Sequence, residues 1–234
     1  MHLRDLVQFL GELSENNNRA WFVMNKPRYD ILRAEFLELV AQAVMQIAKF
    51  DPAIASCNPK KALFRINRDM RFSHDKTPYK TFFSASITAS GMKKPSQGGG
   101  PSYYFQINAK GLLLVAAGEW LPPADRLRAI RNAILAEPAA FEKIAGGKKL
   151  MAHFGGLQEE DKLKRPPKGF EAEADAAHIE RIKLKHFIVW RESSVAGVMP
   201  EVLLQDVVAG FKTAQPLVGW LRAVKTPLAE AAEA

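Results

Sequence analysis

The sequence predicts an α+β protein, a central antiparallel sheet (a meander) flanked by N-terminal and C-terminal helices. Three observations lead there. Apolar residues recur at helical steps through the first fifty positions, alternate with polar ones between 83 and 117, and return to helical steps near the C-terminus. No internal repeat interrupts this order and no linker is long enough to divide it. Residues 1–226 therefore read as a single domain and 227–234 as a frayed tail.

Each element has a local cause. Leu3, Leu6, Val7, Leu10 and Leu13 mark one face of a first helix. The run Ser14-Glu15-Asn16-Asn17-Asn18 ends it, because short polar side chains compete for backbone hydrogen bonds. Asn17 or Asn18 is placed to cap a turn carrying Trp21 and Phe22. From Pro27, the residues Leu32, Phe36, Leu39, Val40, Ala43 and Ile47 keep helical spacing until Asp51-Pro52. The period then changes to two. Phe83, Ala85, Ile87 and Ala89 alternate with Ser84, Ser86, Thr88 and Ser90, the pattern of a half-buried strand. Lys93 to Pro101 is a loop; its Gly98-Gly99-Gly100 lacks the Gly-Lys-Ser/Thr ending of a phosphate loop. Tyr103, Phe105 and Ile107 form the next strand, Asn108-Ala109-Lys110-Gly111 a turn, and Leu112 to Ala117 a further strand, with Ala62 to Ile66 read as one more. A helix is expected over Asp125 to Glu137, then long connections with little regular structure over residues 146–178. His186 to Trp190 reads as a strand, and Pro200 to Phe211 and Pro216 to Val224 as two closing helices.

Composition narrows the function. The chain has 234 residues, 47% hydrophobic and 25% charged, as folded globular proteins do. Cys57 is the single cysteine, which excludes an intrachain disulfide and any paired-cysteine metal motif. The five histidines are scattered without helix-face ligand spacing, so no metal site and no cofactor is implied. Met1-His2-Leu3-Arg4-Asp5-Leu6 carries charges where a signal peptide needs an apolar stretch. Nowhere do about 18 apolar residues follow one another. The expected compartment is the cytoplasm, without a membrane partner. The net charge of +8 favours polyanionic partners.

That charge concentrates in one segment. Between positions 65 and 80 stand Arg65, Arg68, Arg71, Lys76 and Lys80 against Asp69 and Asp75. A guanidinium presents a planar fork that matches carboxylate or phosphate oxygens, and several together must be neutralised by an anion or by acidic side chains. The leading expectation is an anion site for a phosphorylated small molecule or nucleotide-like ligand. An alternative is an internal ion-pair network through Asp69 and Asp75. A further alternative is a nucleic-acid groove, in which a second basic run, Lys162, Lys164, Arg165 and Lys168, joins with Arg131 and Lys185, and Tyr103 and Tyr104 offer stacking faces. The candidate ligand-binding residues are Arg65, Arg68, Arg71, Lys76, Tyr79, Lys80, Lys164 and Arg165. The carboxylates Asp69, Asp75 and Glu119 match no catalytic template and are sufficiently explained as salt-bridge partners. No reaction is specified.

Several stretches together resemble a known family. They are Asn17-Asn18-Arg19-Ala20-Trp21-Phe22 with Asn25-Lys26 and Tyr29, Phe64 to Asp69, Arg71 to Thr81, Ala117-Gly118-Glu119-Trp120-Leu121-Pro122, Leu163 to Phe170, and Leu184-Lys185. The chain is similar, from about residue 7 to about residue 224, to bacterial and fungal proteins grouped as domain-of-unknown-function family 2461. The resemblance implies one full-length domain and implies no reaction. Asn67 departs from it, standing where the family is expected to carry an aromatic residue.

Overall fold

The computed structural model describes residues 1–71, 74–91, 99–173 and 176–226. Its N-terminal third is helical for the reasons the spacing gives. Helix α1 (Leu3–Glu15) buries Leu3, Leu6, Phe9, Leu10 and Leu13 along one stripe. Asn18 accepts a hydrogen bond from the Trp21 amide at 3.0 Å and opens α2 (Arg19–Met24). Helix α3 (Lys26–Ala48) carries Pro27 in its first turn, where no backbone donor is needed, and buries Leu32, Phe36, Leu39, Val40, Ala43, Val44 and Ile47. A 3-10 turn over Pro52–Ile54 and a helical turn α4 (Pro59–Ala62), capped by Asn58, lead into the sheet.

Strands β1 (Phe82–Ile87), β2 (Ser102–Asn108), β3 (Leu112–Glu119) and β4 (Phe187–Ser194) form an antiparallel sheet in the order β1-β2-β3-β4. Between β3 and β4 lie α5 (Ala124–Ala136), α6 (Pro138–Ala145), α7 (Lys148–Phe154) and the short α8 (Ile179–Ile182); α9 (Pro200–Ala223) closes the chain. The sheet's inner face, with Phe83, Tyr103, Phe105, Leu113, Val115, Phe187 and Val189, packs against α9, α3 and α1. Phe36 meets Phe83 edge-on at 5.6 Å, and Phe211 of α9 meets Tyr103 at 5.2 Å. One contiguous cluster of buried apolar residues runs from Leu3 to Leu221. Among the described residues, no helix is long and apolar enough to cross a membrane.

Four expectations need correction. Ala62 to Ile66 is not a strand: Ala62 ends α4, and the following residues touch β1 through an isolated bridge of Leu63 with Ala85 and a bond from Phe64 N–H to the Ser84 carbonyl at 3.0 Å. Strand β1 is not half-buried, because Ser84, Ser86 and Thr88 are as enclosed as its apolar face. The 146–178 stretch contains α7, held by buried Leu150 and Phe154, and a 3-10 turn over Glu171–Glu173. The two closing helices are one. Helix α9 runs through Pro216, since burial of Ala214, Leu217, Val218 and Leu221 on both sides outweighs the roughly 3 kcal/mol that an interior proline costs. The 227–234 tail and Gly98 lie outside the described residues.

A candidate ligand cleft on the outer face of the sheet

The basic segment at 65–80 folds back on itself. Arg68 N–H donates to the Pro78 carbonyl at 2.9 Å, Lys80 N–H donates to the Ile66 carbonyl at 2.8 Å, and Asn67 bridges to Tyr79. Tyr79 is buried and stacks on Phe22 at 4.1 Å, while the Asn17 side chain both donates to and accepts from its backbone. The charged groups find protein partners. Arg68 donates to Asp75 and to the Thr77 hydroxyl. Arg71 grips Asp69 through Nε and an amino nitrogen, at 3.0 and 2.8 Å. Lys76 Nζ donates to the Met70 carbonyl, and Lys80 Nζ donates to the Arg65 carbonyl while lying over the Phe64 ring at 5.0 Å. The Thr77 amide, then Arg68, hold the Asp75 carboxyl down at about 2. Arg71 holds Asp69 well below the usual carboxylate range. Arg65 is exposed. Arg68 and Lys80 line a shallow hollow of about 480 Å³, but Asp69 and Asp75 line it with them. Phe72 and Ser73 lie outside the described residues.

A better-formed concavity lies on the outer face of the sheet. Strand register aligns Ser86, Tyr104, Ala116 and Trp190 in one cross-strand row, and Ser102, Gly118 and Ile188 in the next. Small side chains in both rows leave a floor, over which a cleft of about 520 Å³ opens. Its walls are aromatic and polar. Phe64 stands edge-on to Tyr104 at 6.2 Å on one side; Gln158, Glu160 and Asp161 stand on the other. Trp120 lies 4.2 Å from the His186 ring at the rim and keeps 46% of its surface exposed. It is followed by Leu121, the one non-glycine residue among those described with a positive φ, at 46°. Such strain persists only where neighbours enforce it. Here Glu119, buried to 1% exposure, is clasped by Arg126 at 2.9 to 3.2 Å, and Arg126 also donates to the Leu221 and Val224 carbonyls at the end of α9. The end of β3 is thereby anchored and Trp120 projects from it.

Burial shifts two titratable groups of the cleft. Burial, helped by Lys185, pushes the His186 imidazole below the usual histidine range against the opposing pull of Asp161 and Glu160. Its Nδ1 is buried and makes no hydrogen bond among the described residues. Burial raises the Tyr104 phenol, whose hydroxyl donates to Gln106 at 2.7 Å. Tyr103 takes no part, being fully buried and bonded to Asp51. A larger groove of about 680 Å³ between α3 and α9 has aliphatic and acidic walls and no aromatic group to orient a ligand.

None of the basic candidate residues lines this cleft; they adjoin its walls only in sequence. Phe64, adjacent to Arg65, forms one wall; Asp161, three residues before Lys164, forms the other. Lys164 and Arg165 are exposed on a segment joined to the next by a bond from Leu163 N–H to the Lys183 carbonyl. Sequence reasoning passed over Trp120, Trp190, His186, Glu160 and Asp161. For Trp190 the signal was the outward-facing half of the strand alternation, which places it and Ile188 opposite the core residue Val189; the other four lie outside the strands and carried no such signal.

A four-stranded antiparallel sheet, backed by helices on one face and open to an aromatic cleft on the other, defines an α+β protein with a small-molecule-sized site. The chain belongs to the family described as "Conserved hypothetical protein (DUF2461)", whose model matches residues 5–220. No curated protein and no solved structure matches it.

Proposed function

We propose that the protein binds a small planar ligand carrying an anionic group, of the nucleotide type, in the cleft on the outer face of the sheet. The observation that carries the reading is the cross-strand row Ser86, Tyr104, Ala116 and Trp190, which with Trp120 and Phe64 lines one cleft. Aromatic walls favour a planar ring, which gains about 1–3 kcal/mol for each stacking contact. Gln158, Glu160 and Asp161 supply acceptors for ring amino groups, and Arg65 and Lys164, which follow the wall residues Phe64 and Asp161 closely in sequence, are the candidates for the anion. The size supports one molecule rather than a strand, since ligand pockets commonly enclose about 300–1,000 Å³.

Tryptophan fluorescence tests this directly, because two of the four tryptophans line the cleft. Titration with adenosine, AMP and GMP is expected to quench emission saturably, and Trp120→Ala to weaken binding about tenfold or more, as the loss of one stack implies. Absence of quenching or thermal stabilisation by every nucleoside and nucleotide would remove the proposal. Tighter binding of single-stranded oligonucleotides, weakening steeply with salt, would replace it by the nucleic-acid reading.

The 65–80 segment has a second reading, as an internal brace. It is favoured by the bonds of Arg68 to Asp75 and Thr77, and of Arg71 to Asp69.

A further inference from the structure

A buried positive charge without an acidic partner among the described residues lies elsewhere. Arg131, on α5, is 8% exposed and donates one hydrogen bond, from an amino nitrogen to the Leu184 carbonyl at 2.9 Å. Its Nε is buried without an acceptor among the described residues, and no described carboxylate lies within ion-pair distance. Burial pushes its pKa down. The carboxylates of α6 and α8, the helices packed against α5, are already engaged: Glu142 by Arg181, and Glu180 by Lys162 and Lys183. A buried guanidinium with one neutral acceptor is costly, so its retention calls for a negative partner, and the described residues do not supply one.

We infer that Arg131 is the buried anchor of a phosphate-binding subsite, completed by the exposed Lys185 and by Lys164 and Arg165. Two hydrogen bonds bring the segments that carry these groups side by side. Arg131 bonds to Leu184, the neighbour of Lys185; Leu163, the neighbour of Lys164, bonds to Lys183. The same two segments carry Asp161 and His186 into the wall of the aromatic cleft. The subsite deepens the cleft reading, on which only its nucleotide arm rests: it places the ligand's phosphate at this end rather than at residues 65–80. Glu160 and Asp161, on the cleft side, would then face the ring amino groups and not the phosphate.

Thermal melting of the whole chain in inorganic phosphate, against sodium chloride at equal ionic strength, tests the inference. Wild type is expected to melt higher in phosphate. Arg131→Met is expected to melt higher than wild type without phosphate, because it removes a buried unpaired charge, and to lose the phosphate response. Arg131→Lys keeps the charge without the fork and is expected to bind phosphate about tenfold more weakly. A double Arg68→Ala, Arg71→Ala variant is expected to keep the wild-type response. The inference is overturned if phosphate does not stabilise wild type, if Arg131→Met keeps the response, or if Arg131→Met melts lower or does not fold, which would make the guanidinium a structural strut. In the nucleotide arm, Arg131→Met is expected to erase the preference for AMP over adenosine and leave adenosine binding unchanged. Phosphate stabilisation through Arg131 without any adenosine quenching would sink the cleft reading and leave the subsite standing.

Discussion

Asp51 is where a single substitution should cost most outside the apolar core. It follows α3, is 2% exposed, and accepts three charge-assisted hydrogen bonds: two from Arg222 at 2.8 Å each and one from the Tyr103 hydroxyl at 2.7 Å. It therefore ties α3, β2 and the last turn of α9 together. Asp51→Asn keeps an acceptor for Tyr103 and leaves Arg222 without its countercharge. Removing one member of a buried pair costs roughly 3–5 kcal/mol. The Arg222 side chain keeps 27% exposure and so regains some hydration, which sets the expectation near the lower end, about 3 kcal/mol. Tyr103→Phe removes one bond to a charged group and is expected to cost about 1.5–3 kcal/mol. The double variant Asp51→Asn, Arg222→Met should cost less than the sum of its parts, because the second change removes the stranded charge. The acid limb carries the same signature. Burial alone would raise the Asp51 pKa, but the Arg222 and Tyr103 bonds outweigh it and lower it. Its contribution is thus complete above about pH 4 and declines as pH falls through the lowered value. Urea unfolding followed by circular dichroism measures each quantity. A cost below about 1 kcal/mol for Asp51→Asn, or strict additivity in the double variant, would refute the reasoning.

Three other perturbations have definite signs. Gly118 has φ of +121°, and a Cβ there would lie 2.1 Å from the Phe187 carbonyl oxygen, so Gly118→Ala is expected to cost more than about 4 kcal/mol and to abolish soluble expression or a cooperative melt. Pro216→Ala restores a donor within α9 at a small unfolded-state cost, so a gain of about 1–2 kcal/mol is expected; a lower melting temperature would show that the proline is needed. His153 accepts from Arg191 Nε at 2.9 Å, and burial, with Arg191, lowers its pKa against Asp206; His186 is lowered likewise. For both, the unfolded chain takes up the proton first. Stability is then full above about pH 6.5 and falls as pH drops below it, a loss that His153→Gln should reduce.

How much of this was legible in the sequence follows from what periodicity measures. The helices at the N-terminus and the four strands show themselves because burial enforces a repeat. Pro216 misled because proline reports a local cost, whereas Leu217, Val218 and Leu221 are held by packing that local reading does not see. The serines of β1 read as solvent-facing, yet Ser84 and Ser86 are enclosed, and enclosure of a polar face comes from elements distant in sequence such as Phe64. The cleft was hidden for the same reason. Its row from Ser86 to Trp190 spans more than a hundred positions and exists only through strand register.

Charge density along a chain is also a poor measure of unmet charge. Arg71 has Asp69 two positions away and Arg68 has Asp75 seven away, close enough for a folded loop to pair them. Arg131 has no such option. Its helix neighbours at three and four residues are Leu127, Arg128, Ile134 and Leu135, and the nearest acidic residues, Asp125 and Glu137, stand six positions away on each side. Side chains meet along a helix at steps of three or four, so neither carboxylate can answer the guanidinium from within α5. A conspicuous cluster can therefore be internally balanced while a solitary, buried arginine is not. On this argument the net charge of +8 is a weaker guide to a phosphate site than the buried Arg131 Nε, which has no acceptor among the described residues.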